Sequence, residues 1–391
     1  MPTLVHTADG KYVLAAAGVH VKLFSCETGA LVRLLSGHSA AVTAVDRADD
    51  NVLQAVSASL DGCIVVWGLD DAVALRRFCV GRPVAALSIA ASTAYFVTAA
   101  AGDAPLPELP PYARALPVAA ERVYAAPLRQ TEKSARGAAA FVARAGGGAR
   151  AADDADAPLG SAARPWPLRP KEVGRFARGG GGGGGSSGGG KKKELTSLAV
   201  GDCGWDAPVV LASRGPALLV HDSRTGLSAQ ATHRRPVTCA AVSPTEPIAA
   251  AGDDVGRILL WYLQPAADAA ADADDEGGGG DGGPSGALNV FPLRQMHWHA
   301  QRVGALSFSI DGAYLLSGGR EAVLVSWQLH TAERSFVPRL AAPISAVAAA
   351  PDGGSVALLS HDNAVRLVDV AARRVRRTVH GLLPAARLAA D

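Results

Sequence analysis

The chain of 391 residues is short of most things that would mark an enzyme, a secreted protein or a membrane protein. Aromatic side chains make up 5% of it, and much of its 49% hydrophobic content is alanine, so a large core would have to come from many small contributions. Five cysteines (Cys26, Cys63, Cys79, Cys203, Cys239) are widely scattered and odd in number. Nothing has the CxxC spacing of a zinc site, and an odd count argues against a disulfide framework, so reduced thiols inside strands are expected. The formal net charge of +2 predicts no strong overall field, so any basic footprint must be local. The N-terminus has no basic stretch leading into an apolar core, hence no visible signal peptide. Val84 to Ala101 is long and uncharged, but its Ala, Ser and Thr content suits two strands joined by a turn better than a membrane span. There is no nucleophile elbow, no HExxH and no convincing carboxylate pair, so the expectation is a non-enzyme without cofactors.

What is present is a repeat. From Gly37-His38 the chain runs through AVTAV and a second alternating segment from Val52 to Ser59. Asp61-Gly62 then makes a tight turn into Cys63-Ile64-Val65-Val66-Trp67. The unit resembles a WD repeat. The resemblance implies a buried hydrogen-bond chain through His38, Ser59, Asp61 and Trp67 that satisfies polar groups and fixes the blade. Residues 297–327 keep the spacing with His299 and Trp327, Glu321 standing for the turn Asp and Gly319 for the Ser. Residues 236–261 keep Trp261, with Val255 at the Asp place. Residues 344–369 keep Ser360 and Asp362, with Val368 for Trp, and LLVHDSRTG offers His221-Asp222 for Trp-Asp.

The fold class implied is all-β, a seven-bladed WD-repeat β-propeller as one domain over 1–391, with two low-complexity insertions. Its blades are expected near 1–36, 37–76, 77–128, 194–231, 232–291, 292–337 and 338–380. Residues 102–193 contain the first insertion. Arg122 to Leu128 within it should be an outer strand of the third blade, and 129–193, rich in Gly, Ala and Arg, is expected to be disordered. The second insertion, 265–286, reads as an acidic, glycine-rich loop. The first blade starts at the first residue, so no earlier strand is evident to close the ring.

Several local patterns invite chemistry. Gly185, Gly190 and Lys191 have phosphate-loop spacing, but Lys192 stands where a Ser or Thr is required, so a flexible loop is the better reading. Arg178 with Lys191 to Lys193 could touch nucleic acid as a basic segment. His297 and His299 would share one side of a strand, yet no third metal ligand is suggested. The run Arg373, Arg374, Val375, Arg376, Arg377 falls where an outer strand should lie. It is read mainly as edge protection and secondarily, with Arg320 and Arg339, as a contact for RNA or a partner.

A closer resemblance comes from LLSGGREAVLVSWQL (315–329), FVPRL (336–340), SHDNAV (360–365), FCVGRPVAAL (78–87) and SPTEP (243–247). These segments are similar to the WD-repeat protein 75 / Nan1 (Utp17) family. That family's members are scaffold subunits of the UtpA (t-UTP) part of the small-subunit processome. The resemblance implies a nuclear, nucleolar protein supporting pre-rRNA transcription and 18S rRNA processing. Its partners would be other UtpA subunits and the pre-rRNA 5′ external transcribed spacer, with no membrane and no small-molecule substrate. The family carries tandem propellers and a helical tail, so a chain stopping at Asp391 should hold the N-terminal propeller alone. Two other classes fit the sequence less well. A ubiquitin-ligase substrate receptor usually carries a ring of arginines on one face, and only Arg320 sits obviously at a blade turn. A GTPase-coupled β-subunit needs an N-terminal coiled coil, and none precedes Asp9.

Overall fold

The structure, a computed structural model, describes residues 3–48, 51–99, 122–128, 171–176, 195–205, 207–264 and 288–382. They form seven four-stranded antiparallel sheets, the blades of a propeller. Six sheets follow the chain strand by strand: 4–36, 42–79, 195–232, 237–297, 303–336 and 344–380. The blade at 84–175 is the exception in spacing, because its strands are far apart in sequence. Val84–Ala90 and Thr93–Thr98 form a hairpin turning on Ala91 and Ser92, both left-handed. Apolar side chains alternate toward the neighbouring blade on each side, and the core is a set of clusters between blades, such as Val56, Ile64 and Phe78 against Leu87 and Phe96.

Two sequence expectations need correction. Arg122–Pro127 is the third strand of blade 3, not its outermost; Lys171–Arg175 takes the outer place, pairing Tyr124 with Glu172. That strand lies within the 129–193 segment expected to be disordered, and the following Phe176 is fully buried among Val97, Leu198 and Leu219. A segment poor in apolar residues needs only one such anchor and a free sheet edge to become ordered. The remainder of 129–193, with its glycine and lysine runs, and the 265–286 loop lie outside the described residues, apart from the blade 4 strand starting at Leu195 just beyond. The second correction concerns the unit read as 292–337. It begins inside Asn289–His297, which is the outer strand of blade 5.

Neighbouring blades are stitched by one recurring device. The innermost strands of blades 2 to 7 carry a register shift after their first residue. In blades 2 and 5 the bulged residue is a threonine: Thr43 donates to the Val84 carbonyl at 2.8 Å and Thr238 to that of Val303 at 2.7 Å, each on the next blade. The ring closes without a shared sheet. Leu4, Val13 and Phe24 of blade 1 pack with Ala348, Val365 and Leu367 of blade 7. Lys22 of blade 1 adds bonds to the carbonyls of Gly381 and Leu382.

Candidate interaction face

In an antiparallel four-stranded blade, the turn between the second and third strands and the loop to the next blade lie at the same end. That end carries the buried polar chains. In blade 2, Trp67 Nε1 donates to Ser57 Oγ at 2.7 Å. The Ser57 hydroxyl lies 2.8 Å from His38 Nε2, and His38 Nδ1 lies 2.9 Å from Asp61 Oδ2. Trp can only donate and an ionised Asp only accept, which sets the direction of the whole chain. Burial pushes the Asp61 carboxyl up, but the hydrogen bond from His38, with those from the amides of Ser39 and Cys63, outweighs it and holds it below its usual value. Gly37 is glycine because a side chain there would run into the Trp67 ring and the Arg77 guanidinium.

The serine assigned from sequence is therefore the wrong one. Ser59 instead caps the turn, accepting from the Asp61 amide and donating to the Ala40 carbonyl. Blade 6 repeats the corrected pattern: Trp327 donates to Ser317 at 2.8 Å, and Ser317 meets His299 at 2.7 Å. His299 in turn bonds Glu321. Gly319 does not replace the chain's serine, which Ser317 supplies; it makes room for the longer acid, since a Cβ at 319 would meet the Glu321 carboxylate. In blade 7, the buried Ser360 hydroxyl has no hydrogen-bond partner among the described residues, and Asp362 is tied to Arg366. In blade 5 the acid has moved to Asp253, which accepts from the Val255 and Arg257 amides and meets His233 at 3.4 Å, while Trp261 Nε1 has no partner among the described residues. Sequence reading missed His233 and Asp253. The four-residue spacing from His233 to Val237, shared with His38 and Val42, was the available signal. His221, on the third strand of blade 4, meets Ser228 at 2.8 Å, and Asp222 caps the next turn.

The arginines separate into two places. Arg374, Arg376 and Arg377 line the exposed outer strand of blade 7 (Arg374–His380), preceded by Arg373 in its turn. Arg320 and Arg339 are exposed at the end that bears the buried chains. They have company there that sequence reading missed: Arg234, Arg235 and Arg302 are also exposed on loops of that end. Among the described residues none of these five guanidiniums has a hydrogen-bonding or ionic partner. The opposite end is acidic, with exposed Asp9, Glu27, Asp70, Asp71, Asp311 and Asp352 on its turns.

No three His, Cys, Asp or Glu side chains gather as a metal would require among the described residues, and His297 and His299 diverge, one exposed and one buried. Two of the scattered cysteines meet: Cys63 and Cys79 face each other across paired strands with sulfurs 3.7 Å apart, both thiols free. The central channel offers about 370 Å³ of water-accessible space. Its wall includes Asp46, which bridges to blade 3 through Ser88 and the Ile89 amide.

Comparison with known proteins adds lineage to this geometry. The sequence matches the family description "WD repeat-containing protein 75 first beta-propeller" at residues 5–108 and 290–364. WD repeat-containing protein 75 of Xenopus laevis is 25% identical over 388 residues, covering 97% of this chain and 37% of that protein. The Homo sapiens protein of the same name is 26% identical over 378 residues, 93% of this chain and 36% of its own. U3 small nucleolar RNA-associated protein 17 of Schizosaccharomyces pombe is 47% identical over 79 residues, 19% of this chain and 10% of that one. The chain thus spans a little over a third of the length of the WD repeat-containing protein 75 relatives. Among solved structures, the Cps50 (Swd1) beta-propeller domain of Myceliophteria thermophila superposes with a TM-score of 0.55 at 11% identity, over 91% of each chain, a likeness of fold alone.

Proposed function

Because the chain belongs to the WD repeat-containing protein 75 / Utp17 family and corresponds to its first propeller, we propose that it is a non-catalytic scaffold in ribosome biogenesis. It works in the nucleus, in the nucleolus, as a UtpA-type subunit of the small-subunit processome. There it supports pre-rRNA transcription and 18S rRNA processing by holding other subunits and the nascent 5′ external transcribed spacer. The observation that carries this reading is the family match on both sides of the insertions, which takes in the Gly318-Gly319-Arg320-Glu321 turn and the Pro338-Arg339-Leu340 loop. Fold alone would not decide it, since propellers host many unrelated tasks. The names of the relatives, U3 small nucleolar RNA-associated protein 17 and NET1-associated nuclear protein 1, point the same way. The unpaired arginines on the face with the buried chains are the proposed contacts for RNA, and the exposed arginines on the outer strand of blade 7 (Arg374, Arg376 and Arg377) those for a protein partner.

The test is affinity purification of the tagged protein from cells, with protein and RNA crosslinking. Recovery of processome subunits and 5′ pre-rRNA sequences supports the reading. Recovery of ubiquitin-ligase adaptor subunits instead would make the substrate-receptor alternative the correct one.

A further inference from the structure

We infer that the basic corner at the blade 6 end of the ring is a binding site for single-stranded RNA, with Trp298 and Phe336 stacking bases and Arg302, Arg320 and Arg339 holding phosphates. This rests on the ribosome-biogenesis reading and adds to it the face and the chemistry.

The corner is assembled by backbone contacts among three segments that are separate in sequence. The Arg320 amide donates to the Arg302 carbonyl at 3.2 Å, which places those two residues side by side. The Leu340 amide donates to the Ala322 carbonyl at 2.7 Å, which brings Arg339 to the same turn. Phe336, 36% exposed, ends the outer strand of blade 6, and its ring lies 4.6 Å from that of the half-buried Trp298. Glu321, the one acid within this turn, is bonded to His299, so it is directed inward and leaves Arg320 unneutralised. Aromatic faces beside unpaired guanidiniums suit unstacked bases on a charged backbone. Arg234 and Arg235, on the loop between blades 4 and 5, continue the positive charge along the same end. A spread row of this kind fits an extended polyanion better than a single phosphate group, which would call for converging cations in one pocket. The acidic turns at the opposite end repel the same ligand, so the molecule's field orients it.

The probe is a fluorescently labelled, mixed-sequence single-stranded RNA of about 20 nucleotides, titrated against the whole chain by anisotropy over a range of salt, a set-up in which phosphate contacts govern the salt slope. The triple variant Arg302→Gln, Arg320→Gln, Arg339→Gln should weaken binding at low salt and lower the salt slope by about 2. Phe336→Ala should weaken it on the order of tenfold, while Trp298→Phe, which keeps a ring, should bind nearly as the parent does. The control is Arg374→Gln, Arg376→Gln, Arg377→Gln on the blade 7 edge, for which affinity should hardly change. Equal loss in the control and the corner variant, or a corner variant that binds as the parent does, overturns the corner. In cells, loss of RNA crosslinks with retention of processome proteins in the corner variant supports it. Full RNA crosslinking by that variant sinks the corner alone, whereas an absence of processome proteins and pre-rRNA from the parent sinks the function reading with it.

Discussion

Ser57 lies four residues before Asp61 and Ser59 two before it, both on one strand and both fully buried. Only Ser57 accepts from Trp67 and donates to His38. Ser57→Ala should therefore strand two buried ring nitrogens and cost about 2–3 kcal/mol, with Ser59→Ala costing roughly 1 kcal/mol; chemical denaturation reads both. Equal costs would mean that the chain is not what holds blade 2. The Gly319–Glu321 pair gives a second residue-level outcome. Gly319→Ala should destabilise by about 2 kcal/mol through its clash with the carboxylate, and adding Glu321→Asp should restore much of that loss, a coupling visible in a double-mutant cycle. Titration supplies a third. Burial holds His6 at about 4, against 6.5 for the free side chain. The unfolded chain therefore takes up this proton first, and stability falls as pH drops from about 6.5 to about 4, by up to about 3 kcal/mol. Burial likewise lowers His299, partly offset by Glu321, so it acts in the same direction. Thermal melts across this range should show the decline, and His6→Gln should make it shallower.

At the scale of elements, the outer strands differ most from their sequence appearance. Inner strands must satisfy two neighbouring blades, so their alternation is strict and visible. An outermost strand has one partner and one open side, so almost any sequence that tolerates extension can fill it. Lys171–Arg175 is such a strand, held by backbone pairing to Arg122–Pro127, the Arg122–Glu172 ion pair at 2.7 Å and the buried Phe176. Phe176→Ala should cost about 3–4 kcal/mol, the penalty of an emptied core site rather than of an exposed loop position. Limited proteolysis of this variant should show faster cutting near residue 171. A cost under about 1 kcal/mol would mean that the strand contributes nothing to blade 3. The blade 5 and blade 6 boundary follows the same logic: the outer strand Asn289–His297 lacks a marker that assigns it to the sheet before it.

At the scale of the molecule, seven sheets make one ring because each inner strand touches two others, and the first and last blades meet through Leu4, Phe24, Val365 and Leu367 with no strand exchanged. Among the described residues that junction is held by side-chain packing and bonds such as those from Lys22, so it should be the weakest seam. Leu367→Ala is expected to lower stability by about 2–4 kcal/mol, and hydrogen exchange should quicken first in blades 1 and 7. Uniform quickening around the ring would show instead that the seam is no weaker than the other junctions.

The repeat, its period, the seven units and the blade 6 and 7 signature were all legible in the sequence, because alternation, Asp-Gly turns and His-to-Trp spacing are short-range properties of a single strand or hairpin. Which serine joins His38 to Trp67 was not, since Ser57 and Ser59 point to the same side of one strand and only the position of the His38 ring selects between them. The charge division of the two ends was not legible either. A net charge of +2 conceals it, because Arg302, Arg320 and Arg339 come together only when antiparallel pairing sends every second turn to the same end. Local pattern thus determined what kind of ring this is. Which side chains meet, and on which face the positive charge gathers, was decided by the tertiary structure, because those contacts join residues that sequence order keeps apart.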